Sequence, residues 1–296
     1  MESQFSDPDQ VRVPGAKARF ASRFGDSVLA GHLASVLTAA NQETVWSLTT
    51  RFLRDLGFAH AFYGYSPDSR GARLGSPDEY QILSTLAPEV MTEMVECGHY
   101  RQSTTFHWAL HNAGLALWSM TAEECGVGPE FVVDPTSQEF FLRNHLLTGC
   151  TIGFPNERTR GNAVMALVGP PGSSQDSIDQ LVHALHDVIF VVGTVAHRTL
   201  MTLPFNAPRG RLTQRQREVL EWVAEGKTSA DIATIMGISP PTVEKHLRLA
   251  RETLGVDTTA HALIKAAFLN QVFVAIDGDG VVATGGLPLG SRPSDV

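Results

Sequence analysis

The chain is predicted to fold as two units: an α+β domain in which a sheet is sandwiched between helical layers (α-β-α), then an all-α four-helix domain built around a helix-turn-helix. Three observations lead there. Strand-like runs lie between helical patterns at both ends of residues 28–200, which is the ordering of an α+β sandwich. Residues 212–254 carry three helical periods broken by two tight, glycine-containing turns. Between the two regions, LPFNAPRG (203–210) has two prolines and a glycine, the composition of a linker. The expected boundaries are a tail over 1–27, a first domain over 28–200, a linker over 201–211, a second domain over 212–274 and a tail over 275–296.

Residues 1–25 are polar and turn-rich. Residues 28–56 give two amphipathic helices, the second ending at Gly57 with Trp46, Leu53 and Leu56 pointing inward. FAHAFYGY (58–65), ALW (116–118), CTIGF (150–154) and NAVMALVG (162–169) read as strands. From Ser174 a long helix places Ile178, Leu181, Val182, Leu185, Val188, Ile189 and Val192 on one face. The acidic stretch TAEECGVGPEFVVDPTS (121–137) reads either as a surface loop or as a lid over a pocket. In the second domain Thr213 caps a helix with Gln216 reaching back as a capping box, and Gly226 ends it. Thr228 and Asp231 repeat the starting signal, and Gly237 closes the next helix after Ile232, Ala233, Ile235 and Met236. Ser239 caps a third helix, with Pro240 where a missing N–H has no consequence. Beyond Val274 the chain is Gly-rich, with a short hairpin expected through Gly278–Gly280.

The third helix carries the functional reading. At 3.6 residues per turn Val243, Leu247, Ala250 and Leu254 share one face and can pack inward. Lys245, Arg248, Leu249 and Glu252 lie opposite, with Glu244 and Arg251 on the flanks. A cationic outer face behind two correctly spaced turns is what entry into a DNA major groove requires; charge alone would equally describe a solvated helix. The charge distribution agrees with a DNA reader. Residues 209–270 hold nine Lys/Arg against seven acids, whereas the remainder holds 14 against 24, within a net charge of −8. One copy is only weakly cationic, so a dimer is expected.

The second domain resembles the DNA-binding domain of the LuxR-type regulators. Glu218, Leu220, Gly226, Lys227, Ile232, Ala233, Gly237, Ser239, Thr242, Val243, His246, Leu254, Gly255 and Val256 carry the resemblance. It implies that Thr242 and the residues after the Thr-Val pair touch bases or phosphates, here Glu244, Lys245 and Arg248. Lys245 and Arg248 are the expected base readers. Glu244 replaces a lysine common in the family and could accept a hydrogen bond from a cytosine amine. Arg215, Arg217, Lys227 and Arg251 are the expected phosphate contacts, and Thr258–Phe268 resembles the family's helix for dimer contact on DNA.

The first domain resembles the family's acyl-homoserine-lactone-binding, ligand-sensing domain through LGF (56–58), Pro88, Tyr100, Trp118, Phe140–Phe141, Gly149, Gly153 and Gly161. It departs where the family grips the lactone. Aligned on Pro88, the Tyr, Trp, Asp and second Tyr of the family become Ala87, Met91, Thr104 and Val95, with Ser103 at the Asp position after a one-residue slip. There is no Asp between Asp78 and Asp134. Loss of a charge-assisted hydrogen bond worth about 1.5–3 kcal/mol would weaken a lactone by roughly one to two orders of magnitude. Three readings stay open. A lactone is held by Ser103 or Thr104; another apolar signal lies between Tyr63, Tyr65, Tyr100, Trp108 and Trp118, with Met91 and Val95; or the domain is packed shut and serves only dimerisation.

Cys97, Cys125 and Cys150 lack zinc or CxxC spacing, and Cys97 is expected to be a buried thiol. Neither a signal peptide nor an 18-residue apolar stretch is read, so a cytoplasmic protein with no membrane partner is expected. GKT (226–228) lacks the glycine of a phosphate loop, His107 and His111 lack a third ligand, FVVDP (131–135) lacks the acidic pair of a receiver, and Cys97–His99 lacks an orienting carboxylate. No enzyme, metal or resident cofactor is expected. The expectation is a ligand-responsive DNA-binding regulator of quorum-sensing type, a homodimer with double-stranded DNA, a small-molecule signal and RNA polymerase as partners. The alternatives are a constitutive dimer joined through the Ser174–Thr199 helix and a phosphorelay factor with the same DNA module.

Overall fold

The computed structural model describes residues 25–67, 80–155, 161–204 and 211–273. Of the expected tail over 1–27, residues 1–24 lie outside these residues, as do the linker core 205–210 and the Gly278–Gly280 hairpin, while Asp26 and Ser27 open the first helix.

The first domain opens with α1 (Asp26–Leu37) and α2 (Gln42–Leu56). Asn41 caps α2 through Thr44 N, and Gly57 at φ 121° turns the chain into β1 (His60–Ser66). The inward trio is buried as expected: Trp46 9%, Leu53 1% and Leu56 7% exposed. β2 (Gln81–Ser84), α3 (Pro88–Glu96), a 3-10 turn (His99–Gln102), α4 (Thr104–Ala109), β3 (Gly114–Leu117) and α5 (Pro135–Arg143) follow. β4 (Gly149–Gly153), β5 (Asn162–Val168) and the 28-residue α6 (Gln175–Thr202) complete the domain. The five strands are antiparallel in the order β2-β1-β5-β4-β3.

Helices α1, α2 and α6 cover one face of this sheet, where Ile178, Val182, Leu185, Ile189 and Val192 meet Tyr63, Ile152, Met165 and Leu167 in the main core. Residues α3 to α5 cover the other face around Met94, Phe140 and Leu146. The expected α-β-α sandwich is present. By length and mean hydropathy α6 could cross a bilayer, which corrects the sequence reading that no stretch qualifies; its inner face lies on the sheet. Cys97 is exposed, against expectation, whereas Cys125 and Cys150 are buried.

The second domain is all-α: α7 (Gln214–Ala224), α8 (Ser229–Met236), α9 (Pro240–Leu254) and α10 (Thr259–Phe268). Thr213–Gln216 and Thr228–Asp231 both form full capping boxes, and Ser239 caps α9 through Thr242 N. Gly237 takes φ 66°, a left-handed conformation that ends α8 and lets Ile238 N reach Ala233 O. Val243, Leu247, Ala250 and Leu254 are buried against Val219, Leu220, Ile232 and Ala262. Asn270 links the two domains: its Nδ2 donates to Met201 O at 2.5 Å, in the last turn of α6, and to Leu203 O at 3.2 Å, just past its end.

Candidate ligand chamber and nucleic-acid interface

Strand alternation sends Phe62, Thr151, Val164 and Ala166 to the face away from α6. Short helices roof them into two adjacent chambers that share Phe62, Met94, Tyr100, Phe106 and Val164 in their walls. The smaller, of about 80 Å³, is apolar, with Met91, Val95, Ile82 and Leu110 in its wall. The larger, of about 300 Å³, adds Gln102, Ser103, Thr104, Thr105, Trp118 and Thr151. Among the described residues, none that lines either chamber is Asp, Glu, His, Lys or Arg.

A chain of hydrogen bonds crosses the floor of the larger chamber. Trp118 Nε1 donates to Thr151 Oγ1 at 2.9 Å, Thr151 pairs with Thr105 at 2.8 Å, and Thr105 pairs with Ser103 at 3.1 Å. Ser103 also caps α4, accepting from Phe106 N at 3.3 Å. Thr105 and Thr151 are buried, at 2% and 3% exposed. These two, with Phe62, Met94 and Phe106, were missed by the sequence reading; the run S-T-T (103–105) was the available signal.

Six of the nine residues expected at a ligand site line the chambers with their side chains: Met91, Val95, Tyr100, Ser103, Thr104 and Trp118. Three do not. Tyr63 and Tyr65 share the parity of Ala61 and point into the core beneath α6, so only their backbone borders the small chamber. Tyr63 OH lies 2.9 Å from His197 Nδ1, and burial raises its pKa well above the ordinary tyrosine value. His197 is held down to about 4, first by burial and then by Arg198, so it is a neutral imidazole stacked on Phe154. Trp108 lines neither chamber; it packs with Ala109, Leu110 and Val164 on the outer side of α4.

The 121–137 stretch does more than loop over the surface. Val133 enters the wall of the larger chamber, and Asp134 N donates to Gln102 Oε1 at 3.3 Å. Asp134 then caps α5, accepting from Ser137 N and Ser137 Oγ, which hold its carboxyl below the usual range. Because the Ser137 proton goes to Asp134, Ser137 Oγ accepts from His99 Nδ1 at 2.7 Å. His99, stacked on Phe140, thus clamps the turn bearing Tyr100 and Gln102 to α5.

In the second domain the outer face of α9 is exposed at Glu244, Lys245, Arg248 and Glu252, with Thr242 and Arg251 half-buried. Arg248 pairs with Glu252 at 2.5 Å, Arg251 donates to Thr259 Oγ1 at 2.9 Å, and Arg215 pairs with Glu218 at 2.8 Å. Ser229 Oγ donates to Glu244 Oε1 at 2.5 Å, drawing that carboxylate toward the start of α8. Lys245 and Lys227 are exposed, and their ammonium groups have no hydrogen bond or ion pair among the described residues. Arg217, half-buried on α7, completes the expected set.

A roofed chamber with no charged side chain among its described lining, followed by a helix-turn-helix with Lys245 and Arg248 exposed, defines the class: a two-domain protein in which a chamber-bearing α+β unit precedes an all-α helix-turn-helix unit. Residues 41–200 match the family model "Autoinducer binding domain", and residues 211–266 match "Bacterial regulatory proteins, luxR family". The first match alone spans more than half the chain, so the chain belongs to the LuxR family of regulators with an autoinducer-binding domain. The transcriptional activator AnoR of Acinetobacter nosocomialis is 47% identical over 58 residues, 20% of this chain and 24% of that protein. The transcriptional activator LuxR of Aliivibrio fischeri is 30% identical over 128 residues, 42% of this chain and 51% of that protein. The chain thus spans between about a quarter and a half of the length of these relatives. Among solved structures, SdiA in complex with octanoyl-rac-glycerol matches at 17% identity and a TM-score of 0.42, covering 82% of this chain and 94% of that one. The N-acylhomoserine-lactone-dependent factor CepR2 of Burkholderia cenocepacia matches at 16% identity and a TM-score of 0.45, covering 59% and 94%.

Proposed function

We propose that the protein is a ligand-responsive, dimeric transcription regulator that binds double-stranded DNA in the cytoplasm and acts on RNA polymerase there. The supporting observation is the placement of α9. Its inner face is locked by four buried residues, and Lys245 and Arg248 are exposed at its outer face. In this reading Lys245 and Arg248 contact base edges, with Thr242 and Glu244 beside them. Arg215, Arg217, Lys227 and Arg251 contact phosphates. Releasing Arg248 from an exposed i,i+4 pair costs under about 1 kcal/mol, so Glu252 does not prevent base contact. The weak net charge of one reader favours a dimer, and the exposed Ile264 on α10 supplies an apolar contact for it. The chambers take a small molecule with an apolar tail, whose binding alters how the two readers are spaced.

Selection of duplexes from a random pool, followed by affinity measurements at two salt concentrations, tests this. Lys245→Ala is expected to flatten preference among duplexes. Lys227→Ala is expected to weaken all of them alike and reduce the salt slope by about 1. Equal losses in both variants would contradict the division of roles.

A further inference from the structure

Ser229 opens α8 but does not cap it. Thr228 holds the cap position, and it and Asp231 satisfy each other's backbone N–H groups in a full capping box. The Ser229 hydroxyl is left over, and it donates to Glu244 Oε1 at 2.5 Å, in the helix that follows. Neither helix depends on that bond. α9 has its own cap in Ser239, and its inner face is held by Val243, Leu247, Ala250 and Leu254. What the bond fixes is the direction of an exposed carboxylate.

That direction decides an ion pair. Arg248 has one acid a turn before it, Glu244, and another a turn after it, Glu252. On a helix an acid four residues N-terminal to a cation is the better orientation, so Glu244 should be the partner. Arg248 instead pairs with Glu252 at 2.5 Å, and no ion pair joins it to Glu244 among the described residues. Ser229 accounts for the reversal: a carboxylate drawn toward α8 is drawn away from Arg248. Glu244 is thereby kept on the exposed face of α9 without a cationic partner among the described residues.

We infer that Ser229 is a positioning residue for base recognition: by holding Glu244 out of an ion pair with Arg248, it presents the Glu244 carboxylate to the amine of a cytosine in the major groove. This rests on the reading of α9 as the helix that contacts DNA. A carboxylate only accepts hydrogen bonds. Guanine N7 and O6 and thymine O4 are acceptors too and repel it, so cytosine N4 and adenine N6 are the base donors open to it. Adenine N6 lies beside the acceptor N7, whereas cytosine N4 lies beside a C–H, so cytosine is favoured.

Selection from a random duplex pool by the full chain, followed by anisotropy on single-base variants of the selected duplex, tests it in wild type, Ser229→Ala, Ser229→Thr and Glu244→Gln. Wild type is expected to require cytosine at one position, where guanine or thymine weakens binding roughly 5- to 150-fold. Glu244→Gln is expected to move that position to adenine, because a side-chain amide pairs with N6 and N7 together. Ser229→Ala is expected to lose most of the cytosine preference and Ser229→Thr to retain it, both with a wild-type thermal midpoint and unchanged affinity for random duplexes. A folding defect would move those last two readouts as well. Undiminished cytosine preference in Ser229→Ala would overturn the positioning role, and identical preferences in wild type and Glu244→Gln would overturn base reading by Glu244; either result leaves a DNA-binding regulator standing. A wild-type chain that binds no duplex in the pool would overturn the DNA reading and the inference together.

Discussion

Glu244 places a negative charge on the face of α9 proposed to meet DNA, and Ser229 holds its carboxylate 2.5 Å away toward the start of α8. In that reading the charge lowers sequence-independent affinity for the phosphate backbone. Glu244→Lys is expected to raise affinity for random duplexes and steepen the salt slope by about 1, readable in salt-titrated anisotropy; an unchanged slope would remove Glu244 from the interface. His197 makes a separate prediction. Its value of about 4 lies below the ordinary 6.5 of an unfolded chain, so below pH 6.5 the unfolded state takes up a proton that the folded state refuses. Stability therefore falls as pH drops from 6.5 toward 4, by at most roughly 3 kcal/mol from this group. His32, lowered by burial and Arg51, acts in the same direction. His197→Asn is expected to flatten denaturant midpoints over that window. The residues of α9 were legible because a 3.6-residue period fixes inside and outside at once. Tyr63 and Tyr65 were not, since a strand flanked by helices on both faces is apolar at both parities.

The elements divide the same way. The helices of the second domain were readable to within a residue or so because each begins at a side-chain cap and the first three end at or near a glycine, Gly226, Gly237 and Gly255. β2, α3, the 3-10 turn, α4 and α5 escaped notice; they are four to nine residues long, too short to display a period. Their sequence signals are local caps, Pro88, Ser103 and Asp134-Pro135, and most of their stability comes from covering the sheet. Since these elements roof the chambers, much of the ligand site was hidden with them. For the helix-turn-helix, Ser239→Ala is expected to cost about 1 kcal/mol through the lost cap. Gly237→Ala should cost a similar amount, about 1 kcal/mol, through its left-handed backbone, because a methyl there meets nothing within 4 Å. Amide exchange across α8 and α9 would show both losses, and full protection in Gly237→Ala would contradict the turn geometry.

Across the whole molecule, the two units meet where Asn270 caps the end of α6, the helix that spans the sheet behind the chambers. Asn270→Ala is expected to speed amide exchange at residues 200–204 while leaving α9 protected. The domain order and the linker composition were visible in the sequence, but this contact was not, because a single Asn after a helix has no distinguishing pattern. The central claim is that occupancy of the chambers is coupled to DNA reading by α9. Fluorescence anisotropy of a selected duplex with the full chain, with and without saturating N-octanoyl homoserine lactone, measures that coupling directly. The account predicts a shift in duplex Kd of about fivefold or more, the lower end of ordinary allosteric coupling, with loss of the shift in Thr151→Val. Identical DNA affinities with the chambers demonstrably filled would contradict it.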